Sequence, residues 1–168
     1  MSSTRILRRV ALFIPTVLMV SCIGTWDSLP PIAELARDFP ARHATLDTLR
    51  QMSSLDSHVN RIAPDFTNLD TDINWPRPDS LLGFSRARWD EYRRLFKRVG
   101  SERGLGRAAD GRIYITIKAV GLSLGGESVG YVWCPTPPTP LVPSLDSLPL
   151  GKEVRYQPLT NGWYLFKG

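Results

Sequence analysis

The first half of the chain has the hydrophobic spacing of a helix. Apolar residues recur every three positions along one stripe, and this spacing predicts an amphipathic helix. The repeating positions are Leu46, Leu49, Met52 and Leu55. We expect the helix to begin near Pro40 and to end before Pro64, because a proline removes a backbone donor. The polar, proline-bearing residues 67–84 predict a long loop.

The clearest helix is "SRARWDEYRRLFKRVG", residues 85–100. Ser85 suits the N-cap, and Gly100 suits the position after the last helical residue. Apolar and basic residues fall on opposite faces, which predicts a helix at the surface of the domain. The apolar face consists of Trp89, Tyr92, Leu95, Phe96 and Val99. The opposite face, here called the basic stripe, consists of Arg86, Arg93, Arg94, Lys97 and Arg98.

The second half of the chain changes to a period of two. Isoleucines alternate with other residues in "RIYITIKAV", which predicts a strand, and "ESVGYVW" predicts another. The segments "KEVRYQPL" and "WYLFKG" flank Asn161-Gly162, a strong hairpin signal. The prolines of "CPTPPTPLVP" exclude a central strand, so we expect an extended crossover there. "RGLGR", residues 103–107, is interpreted as a flexible link.

These elements together predict an α+β fold with N-terminal helices packed on a C-terminal antiparallel sheet of about four strands. The fold is expected to form a single domain over residues 32–168. Strand alternation sends the aromatic residues of the sheet to both faces, so some of them must pack beneath the helices.

The chain opens with a pattern typical of an export signal. Three arginines, Arg5, Arg8 and Arg9, precede an apolar run over residues 10–20. This run is well short of the roughly 20 residues that a membrane-spanning helix needs. Basic flank, short apolar core and small residue in order predict a signal peptide over residues 1–21.

The end of this run, Met19-Val20-Ser21-Cys22, resembles the lipobox of bacterial lipoproteins. The resemblance implies cleavage after Ser21 and acylation of Cys22, with Ile23 favouring the outer membrane if the organism has two membranes. Stable anchoring takes two or more acyl chains. Residues 22–31 are then the lipidated cysteine and a tether, of which nine residues reach about 30 Å when extended. Cleavage after Gly24 instead would produce a soluble exported protein.

Removing the leader changes the meaning of the charge. The net charge of +5 falls to +2 without the three leader arginines. This balance, together with export, argues against nucleic acid as a partner. Residues 22–84 carry five basic and nine acidic side chains, whereas residues 85–112 carry nine basic and four acidic ones. The two regions could face each other, or the basic stripe could face an acidic protein or an anionic envelope surface.

One segment suggests a nucleophile. "GLSLG", with Ser123 at its centre, matches the nucleophile elbow of hydrolases. An elbow needs a helix directly after the serine and a histidine downstream, whereas here a strand follows and both His43 and His58 lie upstream. We therefore interpret the segment as a glycine-rich hairpin turn. Cys134 ends an apolar strand and is interpreted as a small buried hydrophobic residue.

Metal-binding patterns are incomplete. The alternating Asn68, Asp70, Asp72 and Asn74 resemble a calcium loop, but Trp75 stands where an EF-hand needs glycine. The histidines and Cys134 do not have zinc-finger spacing. The sequence therefore predicts no metal site and no cofactor.

The function expected from these patterns is non-catalytic. A lipid-anchored envelope protein that binds or scaffolds near the membrane fits the leader and the basic stripe. The alternatives are a small envelope hydrolase that uses Ser123 or Cys134 with an upstream histidine, and a soluble exported protein.

Overall fold

The computed structural model describes residues 28–69, 84–121, 126–146 and 153–168. Within these ranges the chain forms two helices and one antiparallel sheet of seven strands. The helices are α1 (Ile32–Leu55) and α2 (Arg86–Val99). The strands are β1 (Val59–Ile62), β2 (Thr67–Leu69), β3 (Gly104–Arg107), β4 (Ile113–Val120), β5 (Glu127–Trp133), β6 (Arg155–Pro158) and β7 (Trp163–Lys167). The α+β class is confirmed.

Helix α1 begins eight residues before the predicted start and contains Pro40. The proline removes one helical donor, but the preceding turns bury Ile32, Leu35 and Phe39. Burial of three large side chains stabilises the fold by several kcal/mol (about 1.5–3 each), which is enough to offset the lost bond. The predicted start of this helix was therefore wrong. The helix ends at Leu55, which lies before Pro64 as expected, and Val59–Ile62 form β1 instead of extending it.

Helix α2 forms as the sequence predicts. The Ser85 hydroxyl accepts a hydrogen bond from the Arg88 N–H at 3.1 Å, as an N-cap does. Gly100 has a φ of 74°, the left-handed conformation that glycine adopts without a steric penalty. All five residues of the predicted apolar face are buried.

The sheet has the strand order β2-β1-β3-β4-β5-β7-β6, so the prediction of about four strands was wrong. The three additional strands come from segments interpreted as a helix end, a loop and a flexible link. The segment 103–107, interpreted as a flexible link, contains β3 because Gly104 allows its backbone to approach the backbone of Ile62 closely. A Cβ at Gly104 would lie only 2.1 Å from the Ile62 carbonyl oxygen.

The predicted strands and hairpin form. Ile113, Ile115 and Ile117 are buried along β4, and β4 pairs with β5 across a bulge between Thr116 and Lys118. Asn161 and Gly162 have φ values of 54° and 79°, as a two-residue hairpin turn requires. Residues 134–142 contribute only an isolated bridge from Leu141 to Tyr156, consistent with an extended crossover.

The sheet buries residues on both faces, as the aromatic pattern predicts. One face, here called the inner face, packs under both helices with Tyr131, Trp163 and Leu165. The Tyr131 hydroxyl donates to the Leu35 carbonyl oxygen at 2.8 Å, which joins the sheet to α1. The outer face carries a smaller cluster. Its buried members are Val132, Cys134, Tyr156 and Phe166.

Candidate functional site

The basic stripe lies on the exposed side of α2. All five of its side chains, Arg86, Arg93, Arg94, Lys97 and Arg98, belong to exposed residues. The stripe is exposed because Trp89, Tyr92, Phe96 and their neighbours take the opposite side of the helix into the core. The sequence prediction of an amphipathic surface helix is thus confirmed, and α2 is the most strongly charged surface element among the described residues.

The first half of the stripe is partly neutralised. Asp90 forms ion pairs with Arg86 at 3.6 Å and with Arg93 at 3.1 Å. Both guanidinium groups also lie over the Trp89 ring, 5.2 and 5.1 Å from its centre. These contacts fix the two arginines against the helix surface, which leaves them less available to a partner.

The second half of the stripe, here called the basic end, consists of Arg94, Lys97 and Arg98. None of the three side chains forms an ion pair with another residue that the structure describes. Lys97 and Arg98 lie in the last turn of α2, where a cation interacts favourably with the helix dipole. Arg94 lies one turn earlier, where this effect has faded. The basic end is therefore the part of the stripe with the most uncompensated charge.

An open groove of about 670 Å³ runs beside the basic end. The Phe96 ring and Pro64 supply apolar surface, while Arg93, Arg94 and Lys97 supply positive charge. Glu102, in the turn after α2, is the one acidic lining residue. The groove is a suitable place for an anionic group with some apolar surface.

Among the described residues, the acidic region forms an ion pair with α2 through Asp56, on the inner side of the helix. The Arg88 Nε donates to Asp56 at 2.8 Å, and the Tyr92 hydroxyl donates to the same carboxylate at 2.7 Å. Burial, followed by the bond to Asp56, raises the pKa of Tyr92, so this hydroxyl remains a donor at neutral pH. Asp56 thus compensates Arg88, and no described residue of the acidic region forms an ion pair with the outward-facing basic end.

The structure does not bring Cys134 together with a histidine. Cys134 is 4% exposed in the outer-face cluster, and burial raises the pKa of its thiol to about 11. His43 lies on α1, with its ring centre 5.0 Å from that of Phe39 and its Nε2 3.4 Å from the Asp47 carboxylate. His58 is an exposed residue of the turn after α1. Ser123 lies outside the described residues.

A hydrogen-bonded cluster on the outer face escaped sequence reasoning. Arg112 donates to the Tyr156 hydroxyl at 2.5 Å, and the Tyr114 and Tyr156 hydroxyl oxygens are 2.8 Å apart. Arg112 also forms an ion pair with Asp110 at 2.6 Å. Burial and the bond to Tyr156 raise the pKa of Tyr114. These residues come from distant segments, and no local pattern could have indicated the contact.

The described residues include no group of three or more histidine, cysteine, aspartate or glutamate side chains that could hold a metal ion. Of the calcium-loop candidates, Asn68 lies in β2, and the other three lie outside the described ranges. Neither described helix is long and apolar enough to cross a bilayer. Cys22, the predicted lipidation site, also lies outside the described residues, and the description begins at Ser28.

The described residues define an α+β fold, in which two helices lie on one face of an antiparallel sheet and one of them turns a basic side to solvent. Comparison with known proteins adds no relative: no family model, no curated protein and no solved structure matches the chain.

Proposed function

We propose that the protein is a lipid-anchored component of the cell envelope that binds or scaffolds near the membrane and has no catalytic role. Acyl chains on Cys22 hold it to a leaflet, and the domain faces away from the cytoplasm. The anchoring membrane is the outer one if the organism has two. No cofactor, metal or nucleic acid takes part.

The observation that carries a binding role is the basic end of α2. Arg94, Lys97 and Arg98 are exposed and form no ion pair within the described part of the chain. Arg94 and Lys97 also line the open groove. Such a surface favours an anionic partner. The placement of Cys134 also argues against the hydrolase alternative, because the thiol is buried away from both histidines.

Anchoring is tested by comparing Cys22→Ser with Cys134→Ser, which changes the other cysteine of the chain. The parent and Cys134→Ser should incorporate labelled fatty acid and sediment with membranes. Cys22→Ser should incorporate none and move to the soluble fraction. A parent without label, together with a Cys22→Ser variant that partitions as the parent does, would contradict the proposal. A mature N-terminus at Thr25 would instead indicate soluble export.

The non-catalytic role is tested with a fluorophosphonate probe. We expect no stoichiometric labelling of Ser123. Labelling of Ser123 that is lost in His43→Ala or His58→Ala would establish the hydrolase alternative, since a general base activates such a serine.

A further inference from the structure

We propose that the basic end of α2 docks on the anionic head groups of the membrane that carries the anchor. The proposal rests on the proposed lipid anchoring and adds an orientation to it. The domain would lie with Arg94, Lys97 and Arg98 towards the lipid, and with the C-terminal end of α1 away from it.

The first argument is the position of the tether. Residues Ser28–Ile32, which lead into α1, line a cavity together with Val120 and Glu127, where β4 ends and β5 begins. The turn after α2 lies at the same end of β4, since the Glu102 N–H donates to the Ile117 carbonyl oxygen at 2.9 Å. The chain therefore enters the domain at the end of the sheet where the basic end lies.

The second argument is reach. The segment between Cys22 and α1 extends to about 30 Å at most. Helix α1 has 24 residues and is about 36 Å long. Ile32 lies at the end of α1 next to the tether, and Leu55 lies at the opposite end, one helix length away. An acylated Cys22 would thus keep the entry end of the domain, with the basic end, within reach of the head groups.

The third argument is charge. Each Lys or Arg near an anionic bilayer strengthens binding by about fivefold. The three residues of the basic end together would favour the docked state by roughly 100-fold. The single carboxylate of Asp90 partly compensates Arg86 and Arg93, so these two together should contribute about as much as one free cation. An acidic protein could use the same charges, but it would not require them to lie beside the tether.

The test uses the full acylated protein in vesicles of phosphatidylcholine, with or without anionic phosphatidylglycerol. In a Cys134→Ala background, a fluorophore is attached at Glu102→Cys, beside the basic end, or at Ser57→Cys, beyond the end of α1. Both positions are exposed. A quencher on the lipid head groups reports how close each label lies to the bilayer.

We expect the label at position 102, and not the one at 57, to be quenched in anionic vesicles. Quenching should be lost in 1 M salt, where the screening length falls to about 3 Å. It should also be lost in the triple variant Arg94→Gln, Lys97→Gln, Arg98→Gln. The matched variant Arg86→Gln, Asp90→Asn, Arg93→Gln lowers the net charge by one rather than by three and should retain most of it. Circular dichroism checks that both variants fold.

Equal quenching at both positions would overturn the docking proposal while anchoring stands. The same holds if quenching at position 102 is unchanged in uncharged vesicles and in the triple variant. The docking proposal would also be overturned if the protein floats with the vesicles but neither label is quenched. An acidic protein would then be the partner of the basic end. Protein that fails to float with any vesicle would overturn both the docking and the anchoring proposals.

Discussion

Asp56 joins the two helices, and its removal should destabilise the fold measurably. Its side chain is 15% exposed and accepts charge-assisted hydrogen bonds from Arg88 at 2.8 Å and from Tyr92 at 2.7 Å. Each such bond contributes about 1.5–3 kcal/mol. After the substitution Arg88 keeps its ion pair with Glu91 at 3.0 Å. Losing the bond to Arg88 should therefore cost less than losing the bond to Tyr92. Tyr92 is fully buried and would keep an unpaired hydroxyl. We expect Asp56→Ala to cost about 3 kcal/mol.

A double-mutant cycle isolates the contact with Tyr92. Tyr92→Phe keeps the ring between Phe84 and Phe96 and should cost about 1.5 kcal/mol. The double variant should be no less stable than Asp56→Ala alone, since the hydroxyl that lost its acceptor is then absent. Free energies of unfolding come from urea titration of tryptophan fluorescence. The control is Asp90→Ala, which removes exposed ion pairs worth about 1 kcal/mol at most. If Asp56→Ala costs no more than this control, the reasoning is refuted.

Two further predictions concern the sheet. Gly130→Ala should destabilise the protein by at least about 2 kcal/mol, because the added Cβ would lie 2.2 Å from the Ile115 carbonyl oxygen; Gly106→Ala, which meets nothing within 4 Å, should change the urea midpoint little. The pKa of Cys134 is raised from 9.0 to about 11 by burial, so the folded chain keeps a proton that the unfolded chain loses. Stability should therefore fall between about pH 9 and 11, less steeply in Cys134→Ala, and iodoacetamide should modify Cys134 only after unfolding. A midpoint shift in Gly106→Ala as large as in Gly130→Ala, or rapid modification of the folded thiol, would contradict these expectations.

Local signals explain which elements could be predicted. Ser85 and Gly100 act on the backbone next to them, so α2 was predictable to within a residue. The alternating isoleucines of β4 and the Asn161-Gly162 turn are equally local. The N-terminal part of α1 could not be predicted, because Pro40 is a local signal against a helix interior, whereas the burial of Leu35 and Phe39 depends on a sheet far along the chain.

The missed strands depend on their partners. Gly104 has no strand signal of its own, and its role arises from the approach of Ile62 across the sheet. The outer-face contact between Tyr114 and Tyr156 joins residues 42 positions apart and has no sequence pattern. The helical spacing predicts that the five residues of the basic stripe share one face. It also predicts the ion pairs of Asp90, because Arg86 and Arg93 lie four positions before it and three positions after it. The position of the basic end near the tether follows only from the fold.

Folding alone does not account for three adjacent cations at the end of α2. Lys97 and Arg98 each gain about 0.3–1 kcal/mol from the helix dipole. Arg94 lies three and four positions before them, where like charges on a helix destabilise by about 0.2–0.5 kcal/mol per pair. The repulsion offsets about half of the dipole gain and leaves a net gain of under about 1 kcal/mol, so the triple glutamine variant should unfold at a urea concentration only slightly below that of the parent. Because these three side chains contribute so little to stability, their identity can be selected for binding rather than for folding. The same three substitutions should therefore change vesicle docking strongly and the unfolding midpoint only slightly.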